Sequence, residues 1–199
     1  MSKPEAAALN AVLRIEHTWR GRPLAASEQA VVHLSREGDG DLHLRVEAPF
    51  YSDPPPPGPP GSLDGLWEYE VVEVFLVDAS TARRKPRYLE IELSPHGHHL
   101  VLQLHGVRER TASGLPLGYA TEICASRWRG EAVLASRFLP PAPWLANAFA
   151  IHGVGPARQY AAANPVPGDR VDFHCPDRFP LLSALGGQGL STGSAGFQV

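Results

Sequence analysis

The segment from Gly65 to Gly97 constrains the fold most. It reads GLWEYEVVEVFLVD, then a connector ending in STARRKPR, then YLEIELSPHG. Both flanks are rich in Val, Ile, Leu, Phe and Tyr, the residues that suit a pleated surface, whereas the connector carries the charges and the proline that end strands. This is a pair of β-strands from the core of a sheet. Side chains alternate across a strand, so Val71, Glu73, Phe75 and Val77 share one face, and Glu73 stands in an otherwise apolar row. A carboxylate so placed must be paired, hydrogen-bonded or protonated, because an isolated buried charge costs several kcal/mol. Glu73 is therefore a candidate site residue.

With 199 residues, 43% of them hydrophobic, the chain can bury one sizeable core, and a single domain is expected. Twenty prolines and nineteen glycines are too many for a helical protein and fit short strands joined by turns. The net charge is −3 and the basic residues are scattered, which gives no footprint for nucleic acid or for an anionic membrane. The N-terminal segment lacks the apolar run of a signal peptide, no stretch reaches membrane length, and a cytoplasmic location is expected. Cys124 and Cys175 fit no metal-ligand spacing and read as buried free thiols.

Period-two alternation marks a first strand through Ala11, Leu13, Ile15, His17 and Trp19. A hairpin follows from residues 30–34 to residues 42–47 across the turn REGDGD. The run DPPPPGPPG, residues 53–61, has few backbone donors and a stiff extended preference, so it is a loop and a rigid rim for a neighbouring site. Strands are expected over 70–78, 87–94 and 98–105, as consecutive neighbours. A further hairpin is expected from 119–126 to 131–138 around Arg127 to Gly130, with β character resuming over 148–154. No helical pattern separates the strands, which argues against a doubly wound parallel sheet. The expected fold is mainly β: an antiparallel two-sheet β-sandwich of about nine strands over residues 1–185, with a flexible tail over 186–199.

Glycine-rich nucleotide fingerprints are absent. Four segments carry a resemblance: the strand Leu42 to Val46, WEYEVVEVFLVD from Trp67 to Asp78, YLEIELSPHG from Tyr88 to Gly97, and DFHCPDRF from Asp172 to Phe179. Their order resembles the family 9 carbohydrate-binding modules and their DOMON-like, jelly-roll relatives. The runs LWEYEVVEVFL and YLEIELSPHGHHLVLQLHG look still more like a widespread family of uncharacterised proteins that consists of this module alone. The resemblance implies that Trp67 and Glu73 stand where family 9 modules hold a terminal sugar. The second tryptophan of the family's aromatic clamp is missing, since none follows Trp144, and Tyr160 takes its place. Glu70 stands where that family usually has Asp.

Each candidate has a plain alternative. Trp67 either presents its ring to a sugar or closes the core, and Glu73 either accepts from ligand hydroxyls or pairs with an arginine. Glu90 and Glu92 share a strand face with Tyr88 and could form a carboxylate pair with Glu73 or Glu70 of the kind glycoside hydrolysis needs. His96, His98 and His99 are weak metal candidates, because alternation prevents all of them from facing one ion. No cofactor is expected, and His/Met haem ligation fails because Met1 is the only methionine. Arg83, Arg84, Lys85 and Arg87 read as a solvated hairpin tip. The first reading is a non-catalytic module for a carbohydrate or similar hydroxylated small molecule, at a site bounded by Trp67, Glu73, Tyr160 and the proline loop. The alternatives are an enzyme using Glu73 and a histidine, and a protein-interaction module.

Overall fold

A computed structural model describes residues 8–38, 40–166 and 168–182. Twelve strands form two antiparallel sheets. The first sheet contains β1 (Leu9–Ile15), β3 (Ala30–Arg36), β4 (Leu42–Pro49), β9 (Gly118–Cys124) and β10 (Arg127–Leu134), in the order β1-β3-β4-β10-β9. The second contains β2 (His17–Thr18), β5 (Val71–Asp78), β6 (Arg87–Leu93), β7 (His99–His105), β8 (Arg110–Ser113), β11 (Trp144–His152) and β12 (Gln159–Ala162), in the order β2-β12-β11-β5-β6-β7-β8. The three central strands expected as neighbours, β5, β6 and β7, are neighbours.

Alternation places Leu13, Ile15, Val32, Leu34, Leu44 and Val46 of the first sheet against Val72, Val74, Leu76, Leu89 and Ile91 of the second, where they form the core of the sandwich. The second sheet also buries its outer face. Val71, Phe75, Val77, Tyr88, Leu100, Leu102 and Phe149 lie beneath Leu66, Val166, Phe173 and Phe179, which arrive on connecting segments. All eight residues of β5 are consequently buried, which is why its sequence is a near-continuous apolar run.

Three boundaries and the strand count differ from the sequence expectation. The first strand ends at Ile15, and the chain passes to the other sheet as β2, so the apolar alternation continues through Trp19 across a change of sheet. The later hairpin turns at Ala125 and Ser126, with Ala125 at φ +55°, and Arg127 to Gly130 belong to β10, where Trp128 is buried. β11 begins at Trp144, directly after the prolines. The count is twelve rather than nine because β2, β8 and β12 have only two to four residues, too few to show a period. Arg83, Arg84 and Lys85 form the exposed turn between β5 and β6, as expected. The cysteines are free, but Cys124 is exposed and Cys175 only half-buried, because Cys124 ends an edge strand. The proposed tail, residues 186–199, lies outside the described residues.

Candidate ligand-binding site

On the outer face of the second sheet, β5 and β6 bring three glutamates together. Glu73 pairs in register with Glu92, and Phe75 with Glu90. One carboxylate oxygen from each of Glu73, Glu90 and Glu92 lies within 4.8 Å of the others. Their exposures are 2%, 4% and 0%, so these are buried groups. Both oxygens of Glu92 and Oε2 of Glu90 have no hydrogen-bond partner. Glu73 makes no ion pair with an arginine among the described residues.

Glu73 and Glu90 open into a cavity of about 460 Å³ that is also lined by Trp67, Tyr160, Phe173 and His174. The three residues singled out from the sequence, Trp67, Glu73 and Tyr160, therefore border one space. Trp67 is half-buried in a short 3-10 turn, Leu66–Glu68, which Gly65 enters at φ +81°, a conformation that glycine adopts without steric cost. Arg158 holds that turn by donating Nη1 to the Glu68 carbonyl at 2.8 Å and Nη2 to the Trp67 carbonyl. The Arg110 guanidinium lies 4.9 Å from the centre of the Trp67 ring and pairs with Asp64 at 2.8 Å. Opposite, Phe173 stacks on Phe149 with centroids 3.9 Å apart and meets Tyr160 edge-on at 6.0 Å.

The wall beside Glu90 is a hydrogen-bonded chain. The Arg108 backbone N–H donates to the Tyr88 hydroxyl at 3.0 Å, and that hydroxyl meets His174 Nδ1 at 2.8 Å. Nδ1 is the only acceptor the hydroxyl proton meets among the described residues, so the proton goes there, which places the imidazole proton on Nε2, 3.8 Å from Glu90 Oε2. Burial, reinforced by Arg108, pushes the His174 pKa down to about 4, so the ring is neutral near pH 7 and its contact with Glu90 is dipolar. Burial raises Glu90 to about 7, against the pull of Arg110 and Arg108. Burial also holds Glu73 and Glu92 well above the usual carboxylate range, and each is raised further by its glutamate neighbours. The result is an acidic floor, aromatic walls and a rim of three arginines.

Two expectations need correction. None of the prolines between 54 and 60 lines the cavity, because that loop runs along the other end of the sheet, where Pro60 packs near Gly97 and Ser62 bridges to His99. Glu70 is not part of the carboxylate group. It is buried toward a separate cavity of about 320 Å³, where it accepts the backbone N–H groups of Tyr51 at 3.0 Å and Asp53 at 3.4 Å. Among the described residues the converging ligand group is the glutamate triad, not His96, His98 and His99. His174, the histidine beside the carboxylates, stands at Glu90 rather than Glu73 and beyond hydrogen-bond reach. Arg108, Arg110, Arg158 and Phe173 were not anticipated. They lie on irregular segments or on short β8 and carry no periodic signal, although Phe173 and His174 fall within the DFHCPDRF segment.

No family model matches the chain. A solved structure from Bacteroides uniformis, put forward as a carbohydrate-binding protein, superposes with a TM-score of 0.64 at 14% identity over 85% of this chain and 84% of that one. A family 9 carbohydrate-binding module from Caldicellulosiruptor kristjanssonii, in complex with cellotriose, aligns over 82% of this chain and 80% of its own with a TM-score of 0.45 and 13% identity. The two-sheet sandwich is thus a fold shared with the Bacteroides uniformis protein. Human UPF0462 protein C4orf33 is 41% identical over 174 residues, 83% of this chain and 84% of the human protein. Its homolog in Danio rerio is 40% identical over 168 residues, 80% of this chain and 82% of its own. The chain belongs to the UPF0462 family.

Proposed function

We propose that the protein is a non-catalytic binding module for a carbohydrate or a similarly hydroxylated small molecule, held in the cavity between Trp67 and Tyr160. The observation that carries this reading is the meeting of Trp67, Glu73 and Tyr160 around one cavity of about 460 Å³, within the size range of small-molecule sites. A sugar has apolar ring faces and a hydroxyl edge. Aromatic walls suit the faces, and carboxyl and guanidinium groups suit the edge. The shared fold with the Bacteroides uniformis protein supports the same reading.

Calorimetric titration against a panel of neutral mono- and oligosaccharides tests it. Binding is expected with Kd between mM and tens of μM, roughly −4 to −7 kcal/mol, and with little salt dependence. Trp67→Ala should weaken it by about 1–3 kcal/mol, as loss of an aromatic anchor does. An absence of binding across the panel, or an unchanged affinity in Trp67→Ala, would overturn the carbohydrate reading in favour of an interaction module.

A further inference from the structure

We propose that Glu73, Glu90 and Glu92 hold a hard divalent cation of the Ca²⁺ type at the floor of the cavity, with hydroxyl oxygens of the ligand completing its coordination. This deepens the ligand-binding reading and shares its pocket. The first support is geometric. Ca²⁺ takes six to eight oxygens at about 2.3–2.6 Å, so two oxygens on one ion lie no more than about 5 Å apart. The three carboxylates meet that condition, with ligand oxygens mutually within 4.8 Å.

The second support is independent of the clustering. Glu92 is 0% exposed, and neither of its oxygens accepts a hydrogen bond. Outside the triad, the unpartnered atoms of this sheet among the described residues, His17 Nδ1 and His99 Nδ1, belong to half-buried side chains, whereas Glu92 is a fully buried carboxylate. Asn147, equally buried, accepts the N–H groups of Ala148 and Asn164 through Oδ1 and donates Nδ2 to the Asn164 carbonyl. An unpartnered carboxylate beside two others is accounted for by a cation that all three share.

Charge and donor chemistry narrow the class. Arg108 is paired with Asp172 and Arg110 with Asp64, so among the described residues Arg158 alone of the rim arginines has no carboxylate partner, against three buried glutamates. A cation binds the three carboxylates in their ionised form, and in that form the excess is two negative charges, which one divalent ion neutralises. Every converging donor is an oxygen, since His174 Nδ1 is committed to Tyr88 and Nε2, the nitrogen nearer Glu90, carries the ring proton. That favours Ca²⁺ or Mn²⁺ over Zn²⁺ or Cu²⁺. Since Glu73 and Glu90 line the cavity, the open side of the ion faces it, toward Trp67 and Tyr160.

The test uses CaCl₂ alone, added to EDTA-treated full-length protein with no sugar present, and reads the heat of binding and the melting temperature. Saturable binding and a raised melting temperature are expected. Glu92→Gln should weaken binding at least tenfold and remove the Ca²⁺-induced shift, while melting no lower than metal-free wild type, because it relieves repulsion in the triad. Glu92 does not line the cavity, so this variant leaves the aromatic walls and Glu73 in place. Titrating MnCl₂ while following the free-ion EPR signal gives a second, optical-label-free readout. No binding of either ion at mM concentration, or equal affinity in Glu92→Gln, would overturn the metal site. Sugar titrations in EDTA and in CaCl₂ separate the two readings: sugar binding that persists unchanged in EDTA removes the ion from ligand recognition, and Ca²⁺ binding without sugar binding removes the carbohydrate instead.

Discussion

Glu73 on β5 lies directly opposite Glu92 on β6, a like-charged cross-strand pair at the centre of a sheet buried on both faces. Like charges in this position oppose strand pairing, and burial sharpens the conflict. The sheet forms around them because Phe149 and Leu100, their partners on the flanking strands, and Phe75 bury the outer face, while Val74, Leu89 and Ile91 bury the inner one.

Glu73→Gln is therefore expected to raise the stability of the metal-free protein at pH 8 by about 1–3 kcal/mol, as removal of unfavourable buried charge does. The same change should reduce ligand binding, because the amide keeps the shape and loses the charged acceptor. Urea unfolding beside calorimetry reads both effects. A loss of stability would mean that an internal partner satisfies Glu73.

Glu70 gives a separate handle on pH. Burial raises its pKa to about 7, against the opposing N–H donors of Tyr51 and Asp53, and Asp53 adds repulsion. A carboxyl with a raised folded pKa contributes stability that is complete below its unfolded value, near 4.5, and is lost as pH rises through about 7. The stability difference between wild type and Glu70→Gln should thus shift against wild type between pH 4.5 and 8, by up to about 3 kcal/mol at 1.4 kcal/mol per unit. His152, stacked on Tyr51 at 3.5 Å, has a lowered pKa and the opposite sign. Because Glu28, Arg127 and His152 are common to both proteins, the difference between melts at several pH values isolates Glu70.

Arg158→Ala removes the donors to two carbonyls of the Trp67 turn. A stability loss of about 1–2 kcal/mol is expected from unpaired carbonyls, with a larger relative loss in ligand affinity as the ring loses its fixed position. Tryptophan fluorescence of the Trp67 environment and calorimetry check this. An unaltered affinity would separate the turn from recognition.

Phe149 is fully buried, stacked on Phe173 and set edge-on to Phe75 with centroids 5.6 Å apart. Phe149→Ala should cost about 3–5 kcal/mol in denaturant unfolding and loosen the wall that Phe173 forms. A cost below about 1 kcal/mol would show that the outer apolar layer contributes little to folding.

Much of this architecture was legible from residue patterns. Alternation through Val71, Glu73, Phe75 and Val77 set the face of β5 correctly, and the shared parity of Tyr88, Glu90 and Glu92 did the same for β6. Trp67, Glu73 and Tyr160 do meet at one cavity. What alternation cannot supply is the neighbour across a sheet, so the choice between Glu70 and Glu73 as partner of Glu92 stayed open until the register was known. Nor can it reveal burial of a second face, because the residues that cover it, Leu66, Phe173 and Phe179, come from irregular segments with no period. Arg108, Arg110 and Arg158 escaped for the same reason.

The cover of that outer face has a consequence for how the site comes into being. Phe173 and Phe179 are separated from Glu73 by about half the chain and emerge late from the ribosome. Until they dock, the three glutamates sit on an open, wet surface where water screens their repulsion. The sandwich can therefore assemble before the acidic floor becomes costly, and the cavity over the glutamates closes only when Phe173 and its neighbours dock.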